Sequence, residues 1–185
     1  TDISGIDLYA LKLLTQMDGR WNAVYENSLD IVHRALLTEP GPFYSEAYYP
    51  DSAGYAVYIS GEAFFSVSRQ IRTALRLAET GRFPDEAYAF FKEELFNRRA
   101  FYQRYSVLTG APAAGPESVA AYAYMARLAR IKGDRSVYEF CADRIFWNSA
   151  DSYTSKIFGL TFAEYDNGDI ISETADSILS LKALY

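Results

Sequence analysis

The chain has few of the residues from which common reactive centres are built. It contains one cysteine, Cys141, and one histidine, His33. A single cysteine cannot form an internal disulfide or a thiolate metal cluster, and a single histidine supplies a zinc site poorly. His33 would also have to serve any Ser/His/Asp or Cys/His triad, but it lies in the apolar helical stretch "DIVHRALL". That setting favours a structural histidine near a helix end. We therefore expect no metal and no cofactor.

Positive charge and long apolar runs are also scarce. Eighteen Lys and Arg against 24 Asp and Glu give a net charge of −6, with no block of Lys and Arg. Such a surface releases few counterions from nucleic acid and does not bind anionic lipid, so both partner classes are excluded. No stretch reaches the ~18 uninterrupted apolar residues of a membrane span, and no signal peptide opens the chain. Because the chain begins with Thr, we expect a processed or trimmed product whose location the sequence does not give.

Aromatic residues are abundant. The 185 residues include 16 Tyr, 12 Phe and 2 Trp, and half of the chain is hydrophobic. This length and composition predict one folded domain, residues 1–185, with an ample core. Tyrosines offer flat apolar faces that carry hydroxyls, which suits either stacking on sugars or plain packing.

One construction occurs three times along the chain. The stretches "LKLLTQMDGRWNAVY", "LRLAETGRFPDEAYAF" and "ARLARIKGDRSVYEF" each end an apolar-periodic run at a glycine and restart helical periodicity within a few residues. The glycines are Gly19, Gly81 and Gly133, where a helix C-cap can adopt positive φ. Each stretch therefore predicts a helical hairpin.

The periodicity predicts seven helices. They cover residues 6–17, the run from Trp21 to "TEPGP", residues 62–80, the run behind Pro84, the two helices flanking Gly133, and roughly residues 173–185. Between the second and third helices, "FYSEAYYPDSAGYAVYI" predicts a long connection or a short hairpin. Long aromatic connections between widely spaced corners do not fit solenoid repeats. We expect an all-α fold, an (α/α) toroid-like array of antiparallel hairpins.

Three stretches resemble the C-terminal portion of family 8 glycoside hydrolases, in the bacterial exopolysaccharide branch. They are "TDISGIDLYALKLL", "SRQIRTALRLAETGRFPDEAYAFFKEEL" and "FYQRYSVLTGAPAAGPESVAAYAYMARLARIKGD". The resemblance implies part of a larger (α/α) barrel that holds a bacterial or β-linked polysaccharide in an open cleft and cleaves it with inversion. It also implies a secreted or cell-envelope location. A companion fragment or a second copy is expected against the first helix or the last.

Inverting hydrolysis needs one carboxylic acid and one carboxylate that activates water. The family supplies the acid from an earlier hairpin, which has no counterpart here. Its second carboxylate stands at the start of the helix matched by "TDISGIDLYAL", which makes Asp2 the candidate and Asp7 its rival. Either residue can instead be a simple helix cap. The chain also departs from the family at Ser68 and Arg69, where an acidic residue is expected; a guanidinium cannot act as a base.

Aromatic loops supply the candidate substrate-binding residues. In two of these loops carboxylates flank the rings: Glu46 and Asp51 lie on either side of Tyr48 and Tyr49 in the sequence, and Glu164 and Asp166 lie on either side of Tyr165. The alternative is that "PDSAG" and "YDNGD" are only turns. The predicted sugar-stacking rings are Tyr48, Tyr49, Tyr55, Tyr102, Tyr105 and Tyr165.

Three classes of function remain open at this point. They are a glycoside hydrolase domain, a polysaccharide-binding domain that no longer cleaves, and a helical interaction module. A complete acid/base pair separates the first from the second. Exposed aromatic loops separate both of these from the third.

Overall fold

The computed structural model describes residues 1–57, 63–156, 158–164, 170–172, 179 and 182–184. In these ranges the main helices are α1 (Leu8–Met17), α2 (Trp21–Arg34), α3 (Val67–Glu79), α4 (Asp85–Arg98), α5 (Val119–Lys132) and α6 (Arg135–Trp147). Of the predicted last helix, residues 179 and 182–184 are helical. The remainder of that helix lies outside the described residues.

Short antiparallel strand pairs join the helices, so the all-α expectation needs correction. The pairs are β1 (Ala47–Tyr49) with β2 (Gly54–Ala56), β3 (Phe64–Ser66) with β4 (Arg104–Ser106), and β5 (Phe162–Glu164) with β6 (Ile170–Ser172). They lie in the long connections, where extended backbone has no helical hydrogen bonds and satisfies its amides across a ladder. The protein is mainly helical with small sheets.

The corner between α5 and α6 shows why the hairpin sequence folds as it does. Ser118 starts α5 by accepting a hydrogen bond from the Ala121 amide (3.3 Å), and Gly133 ends it at φ 77°. Asp134 then starts α6 by accepting from the Val137 amide (3.3 Å). A left-handed glycine followed directly by an N-cap turns the chain within two residues.

Gly19 does not repeat this geometry. Gly81 has φ 88°, as expected, whereas Gly19 is not among the glycines with positive φ. In α5 the glycine itself is the C-cap, whereas α1 ends at Met17 and its C-cap is Asp18, the residue before Gly19, in an extended conformation with φ −151°. The Asp18 carboxylate accepts from the Arg20 amide (2.9 Å), so a side chain stabilises this corner in place of a left-handed glycine.

Helices α1 and α3 run side by side in the same direction. Three contacts follow one another along both segments: Asp2 with Arg69 (3.7 Å), Asp7 with Arg76 (3.2 Å), and the Lys12 ammonium with the Thr80 carbonyl (3.0 Å). Consecutive hairpins therefore bring the starts of α1, α3 and α5, with the long connections before them, to one end of the molecule. The tight corners lie at the other end. We call the first the long-loop end.

The core is built mainly on α3 and α5 and absorbs much of the aromatic content. Helix α5 is buried along most of its length because it lies between α3 and α6. Phe43 stacks on Phe65 with ring centroids 4.5 Å apart. Tyr44, Tyr105 and Tyr122 are among the largest fully buried side chains. Plain packing therefore accounts for many of the aromatic residues.

Large apolar side chains are exposed at the two edges of the hairpin array. At the α1–α2 edge these are Tyr9, Leu13, Met17, Trp21 and Val24; after the middle of α6 they are Phe146, Trp147, Tyr153 and Phe158. We call these the first and second edges. No helix in the described ranges is long and apolar enough to cross a membrane.

Candidate functional site

Asp2 lies at the long-loop end, ahead of a 3-10 turn over Ile3–Gly5. Its Oδ1 accepts hydrogen bonds from the Ser4 amide and the Ser4 hydroxyl, both at 2.9 Å. Its Oδ2 is 3.7 Å from Arg69 Nη1, and the side chain is partly exposed. Asp2 thus caps the turn before α1, while one of its oxygens faces a cation near solvent.

Glu46 lies beside Asp2 and is almost fully buried, with 6% of its side chain exposed. Its Oε1 accepts from the Ser66 amide at 2.8 Å, and its Oε2 is 3.8 Å from Arg69 Nη1. The Glu46 backbone is held on both sides, because its carbonyl accepts from the Ile3 amide and its amide donates to the Ala56 carbonyl, each at 3.0 Å. A buried carboxylate needs partners such as the Ser66 amide and the Arg69 guanidinium to offset its lost hydration.

Arg69 connects the two carboxylates through a single nitrogen. It lies in the first turn of α3, directly after the strand that carries Ser66. Sequence analysis identified Arg69 only as a departure from the family pattern and Glu46 only as a neighbour of tyrosines. Their partnership joins segments far apart in the chain, so no local pattern could have shown it. We call this arrangement the Asp2–Arg69–Glu46 cluster.

Asp7 lies in a different network. Its Oδ1 accepts from the Ala10 amide (3.1 Å), which makes it the N-cap of α1. Its Oδ2 is 3.2 Å from Arg76, and Arg76 continues to Glu79 at 3.1 Å. Glu79 in turn binds Arg127 on α5 at 2.6 Å. This chain of charges ties α1, α3 and α5 together, so the geometry supports the capping alternative for Asp7.

The β1–β2 hairpin carries three of the predicted tyrosines, and its first strand lies beside Asp2. Ala47 forms a β-bridge with Asp2, and Tyr48 exchanges backbone hydrogen bonds with Thr1, each at 2.9 Å. The rings of Tyr48 and Tyr55 are 5.1 Å apart, and the Tyr55 hydroxyl donates to the Ile31 carbonyl (3.1 Å). Tyr49 is 54% exposed. Tyr49 is therefore the ring of this hairpin most available to a ligand.

The remaining predicted rings are placed differently. Tyr105 pairs with Phe65 across β3 and β4, and it is only 1% exposed. It is therefore a core residue of this chain, and we leave it out of the proposed site. Tyr102 is half-buried at the long-loop end and forms a bridge with Glu117. Tyr165, with the neighbouring Asp166, lies outside the described residues.

The single cysteine and histidine do not join the cluster. Cys141 is buried in α6, and that burial raises the pKa of its thiol well above the usual range. His33 is exposed in the last turn of α2. Among the described residues, no group of three His, Cys, Asp or Glu side chains could hold a metal ion.

The sequence matches no protein-family model and no curated protein. Solved structures do share its fold. A novel alpha-amylase from Clostridium perfringens aligns with 99% of this chain and 53% of its own, at a TM-score of 0.86 and 22% identity. PssZ from Listeria monocytogenes aligns with 99% of this chain and 49% of its own, at a TM-score of 0.65 and 15% identity.

A third structure is the cellobiose 2-epimerase from Spirochaeta thermophila DSM 6192. It aligns with 99% of this chain and 52% of its own, at a TM-score of 0.62 and 12% identity. The chain thus spans about half the length of the structures it matches. At these identities the likeness shows the fold alone, which is of the (α/α)-toroid type. Family 8 is not singled out by this likeness.

Proposed function

We propose that the chain is part of a glycoside hydrolase-like (α/α)-toroid protein that acts on a bacterial or β-linked polysaccharide. The observation that carries the proposal is the Asp2–Arg69–Glu46 cluster at the long-loop end. Asp2 is bridged to strand β1, and that strand also carries the exposed Tyr49. Support also comes from the fold neighbours, two of which are named for enzymes that act on sugars.

In this proposal Asp2 is the carboxylate that activates water. Its Oδ1 is occupied by Ser4. Among the described residues, Oδ2 has no protein hydrogen bond and faces only the more distant Arg69. Oδ2 is therefore the oxygen that can accept a proton from water. Glu46 fixes Arg69, and Arg69 limits the orientations open to Asp2.

The general acid would come from residues outside this chain. Carboxyl pairs in inverting enzymes lie about 6.5 to 9.5 Å apart, which leaves room for the attacking water between them. Glu46 does not suit the role of acid. It is buried and accepts a backbone hydrogen bond, and a guanidinium lies beside it.

A second candidate function is binding of polysaccharide without cleavage. Arg69 favours it, because this cation stands where the family pattern has an acidic residue.

The third class, a helical interaction module, draws support from the apolar side chains at the two edges. Large exposed apolar patches mark interaction sites. Within the main proposal, further helical hairpins of the same fold, in a companion fragment or a second copy, cover these edges.

Titration with soluble oligosaccharides tests the proposal. The panel contains β-glucan, α-glucan and amino-sugar oligomers, with release of reducing ends followed in parallel. Tyr49→Ala should weaken binding about fivefold, since an aromatic contact contributes about 1 kcal/mol. Asp2→Asn should leave binding within about twofold, because it removes the proton acceptor and keeps the shape. It should also abolish any hydrolysis.

Tyr153→Ala is the matched control, since this exposed tyrosine lies at the second edge, away from the cluster. It should bind as the wild type does. Failure of the folded protein to bind any oligomer would favour the interaction module. Hydrolysis that persists in Asp2→Asn would show that another carboxylate activates water.

A further inference from the structure

A cleft separate from the Asp2–Arg69–Glu46 cluster lies between the end of α2 and the corner that joins α3 to α4. It has two adjoining lobes of about 180 and 320 Å³. The larger lobe alone reaches the lower end of the volume range of small-molecule sites. Both lobes are lined by Leu36, Tyr44 and Pro84.

Tyr44 lines both lobes of the cleft. Its hydroxyl is one of three buried tyrosine hydroxyls without a partner among the described residues, and the other two, of Tyr88 and Tyr105, do not line the cleft. The Tyr44 backbone is fixed by the buried Gln70, whose Oε1 accepts from the Tyr44 amide (2.6 Å) and whose Nε2 donates to the Tyr44 carbonyl (2.9 Å). Its side chain is fully buried, yet its hydroxyl has no hydrogen-bond partner among the described residues. Burial, together with the negative charge of Glu86, raises the pKa of this hydroxyl far above its usual range. The group is therefore neutral and able to donate.

A buried hydroxyl without a partner is unfavourable, and native structures rarely keep one without a reason. A ligand in the cleft would supply the missing partner after a small displacement of the cleft wall that covers this buried hydroxyl. Because a tyrosine hydroxyl both donates and accepts, the matching group is another hydroxyl or an amide.

The walls of the cleft narrow the ligand class further. Leu36 and Pro84 give both lobes apolar surface, and Phe83 adds to the smaller lobe. Arg82 lines the smaller lobe and Glu86 the larger, so the cleft as a whole selects neither an anion nor a cation. Asp85, also at the wall, is engaged by Lys132.

We propose that this cleft binds one neutral sugar unit of an oligosaccharide. The apolar face of the sugar ring packs between Leu36 and Phe83, and one of its hydroxyls bonds to Tyr44. The choice of a sugar rests on the proposed function, but none of the cleft residues belongs to the Asp2–Arg69–Glu46 cluster.

The central variant is Tyr44→Phe, tested by calorimetric titration with cellotetraose and maltotetraose. The change removes one oxygen that bonds to none of the described residues, so the unfolding midpoint should stay the same or rise. Affinity for the tetrasaccharide should fall about fivefold, the effect of one hydrogen bond. Tyr9→Phe, at an exposed position on α1, is the control and should change neither quantity.

A second variant tests the wall of the cleft. Leu36 is exposed, so Leu36→Asp should fold normally while placing a charge against the sugar face. We expect at least tenfold weaker binding.

The outcomes separate the inference from the proposed function. If Tyr49→Ala weakens binding while Tyr44→Phe and Leu36→Asp do not, the cleft inference is overturned and the proposed function stands. If a glucuronate oligomer binds more tightly than the neutral sugars and depends on Arg82, the ligand class is wrong. Absence of any binding by the wild type would overturn both.

Discussion

At the scale of single residues, burial decides what each tyrosine does. Tyr49 and Tyr105 both stand in aromatic loops and look alike in sequence, but their exposed fractions are 54% and 1%. Tyr105→Ala should cost about 3 to 5 kcal/mol of unfolding free energy, because it empties a packed site in the core. Tyr49→Ala should change that free energy by less than about 0.5 kcal/mol. Urea unfolding of both variants measures the contrast, and similar losses would contradict it.

Asp134 predicts a pH dependence of stability. Burial alone would raise the pKa of its carboxyl, but hydrogen bonds from Lys92 (2.5 Å), Ser136 (2.8 Å) and the Val137 amide (3.3 Å) outweigh burial and hold that pKa well below its usual range. Because this pKa is lower in the folded than in the unfolded state, the charged carboxylate stabilises the fold at pH values above the unfolded-state pKa of about 3.9. That stabilisation is lost progressively as the pH falls from this value through the folded-state pKa.

Asp134→Asn tests this prediction, because asparagine is also a good N-cap and only the charge is lost. The difference in unfolding free energy between wild type and variant should be largest near pH 7 and shrink from about pH 4 downward. Denaturant unfolding at several pH values measures it. A difference independent of pH would mean that the charge of Asp134 does not stabilise the fold.

The same scale shows why the site was only partly predictable. The capping position of Asp2 could be predicted, because a carboxylate ahead of a helical turn is visible in a short stretch of sequence; its catalytic role stays a prediction. Glu46 and Arg69 could not be paired, because their contact depends on how β1 and the start of α3 pack. The environment of Tyr105 is likewise a tertiary property, set by Phe65 across the ladder.

At the scale of elements, the glycine corners offer a matched comparison. Gly133 has φ 77°, and a Cβ added there would meet no atom within 4 Å, so Gly133→Ala should cost only backbone strain, about 1 to 2 kcal/mol. Gly19 lacks positive φ, and its added Cβ would meet only Asn22 Nδ2 at 3.8 Å. Gly19→Ala should change stability by less than about 0.5 kcal/mol. Thermal unfolding of the two variants checks this, and equal costs would contradict the assigned corner geometry.

The helices were largely predictable and the strands were not. Helical periodicity is local, and Pro84 correctly marked the start of α4 at Asp85. The third helix starts at Val67, later than residue 62, because Phe64–Ser66 pairs with Arg104–Ser106. The partner strand β4 follows β3 only after the whole α3–α4 hairpin, so no short-range sequence pattern predicts that the two strands pair.

At the scale of the whole molecule, the two apolar edges predict association. Met17 is 82% exposed at the first edge and Trp147 is 79% exposed at the second. Without another chain to cover them, these edges should meet those of a second copy, because exposed apolar area is unfavourable in water. Sedimentation at rising concentration should show mass above the monomer, and Met17→Glu or Trp147→Glu should lower it. Leu108→Glu, at an exposed position outside both edges, is the control. A monomer at every concentration would contradict the association.

The central claim is that the long-loop end of this chain binds saccharide. Amide chemical-shift mapping during titration with cellotetraose and maltotetraose tests it most directly, because it reports position as well as binding. Perturbed amides are expected around Asp2, Tyr49 and Arg69, with those near Gly133 unaffected, and in Tyr49→Ala the same pattern should need about fivefold more sugar. Shifts absent from the long-loop end at saturating sugar, in a protein that remains folded, would contradict the claim.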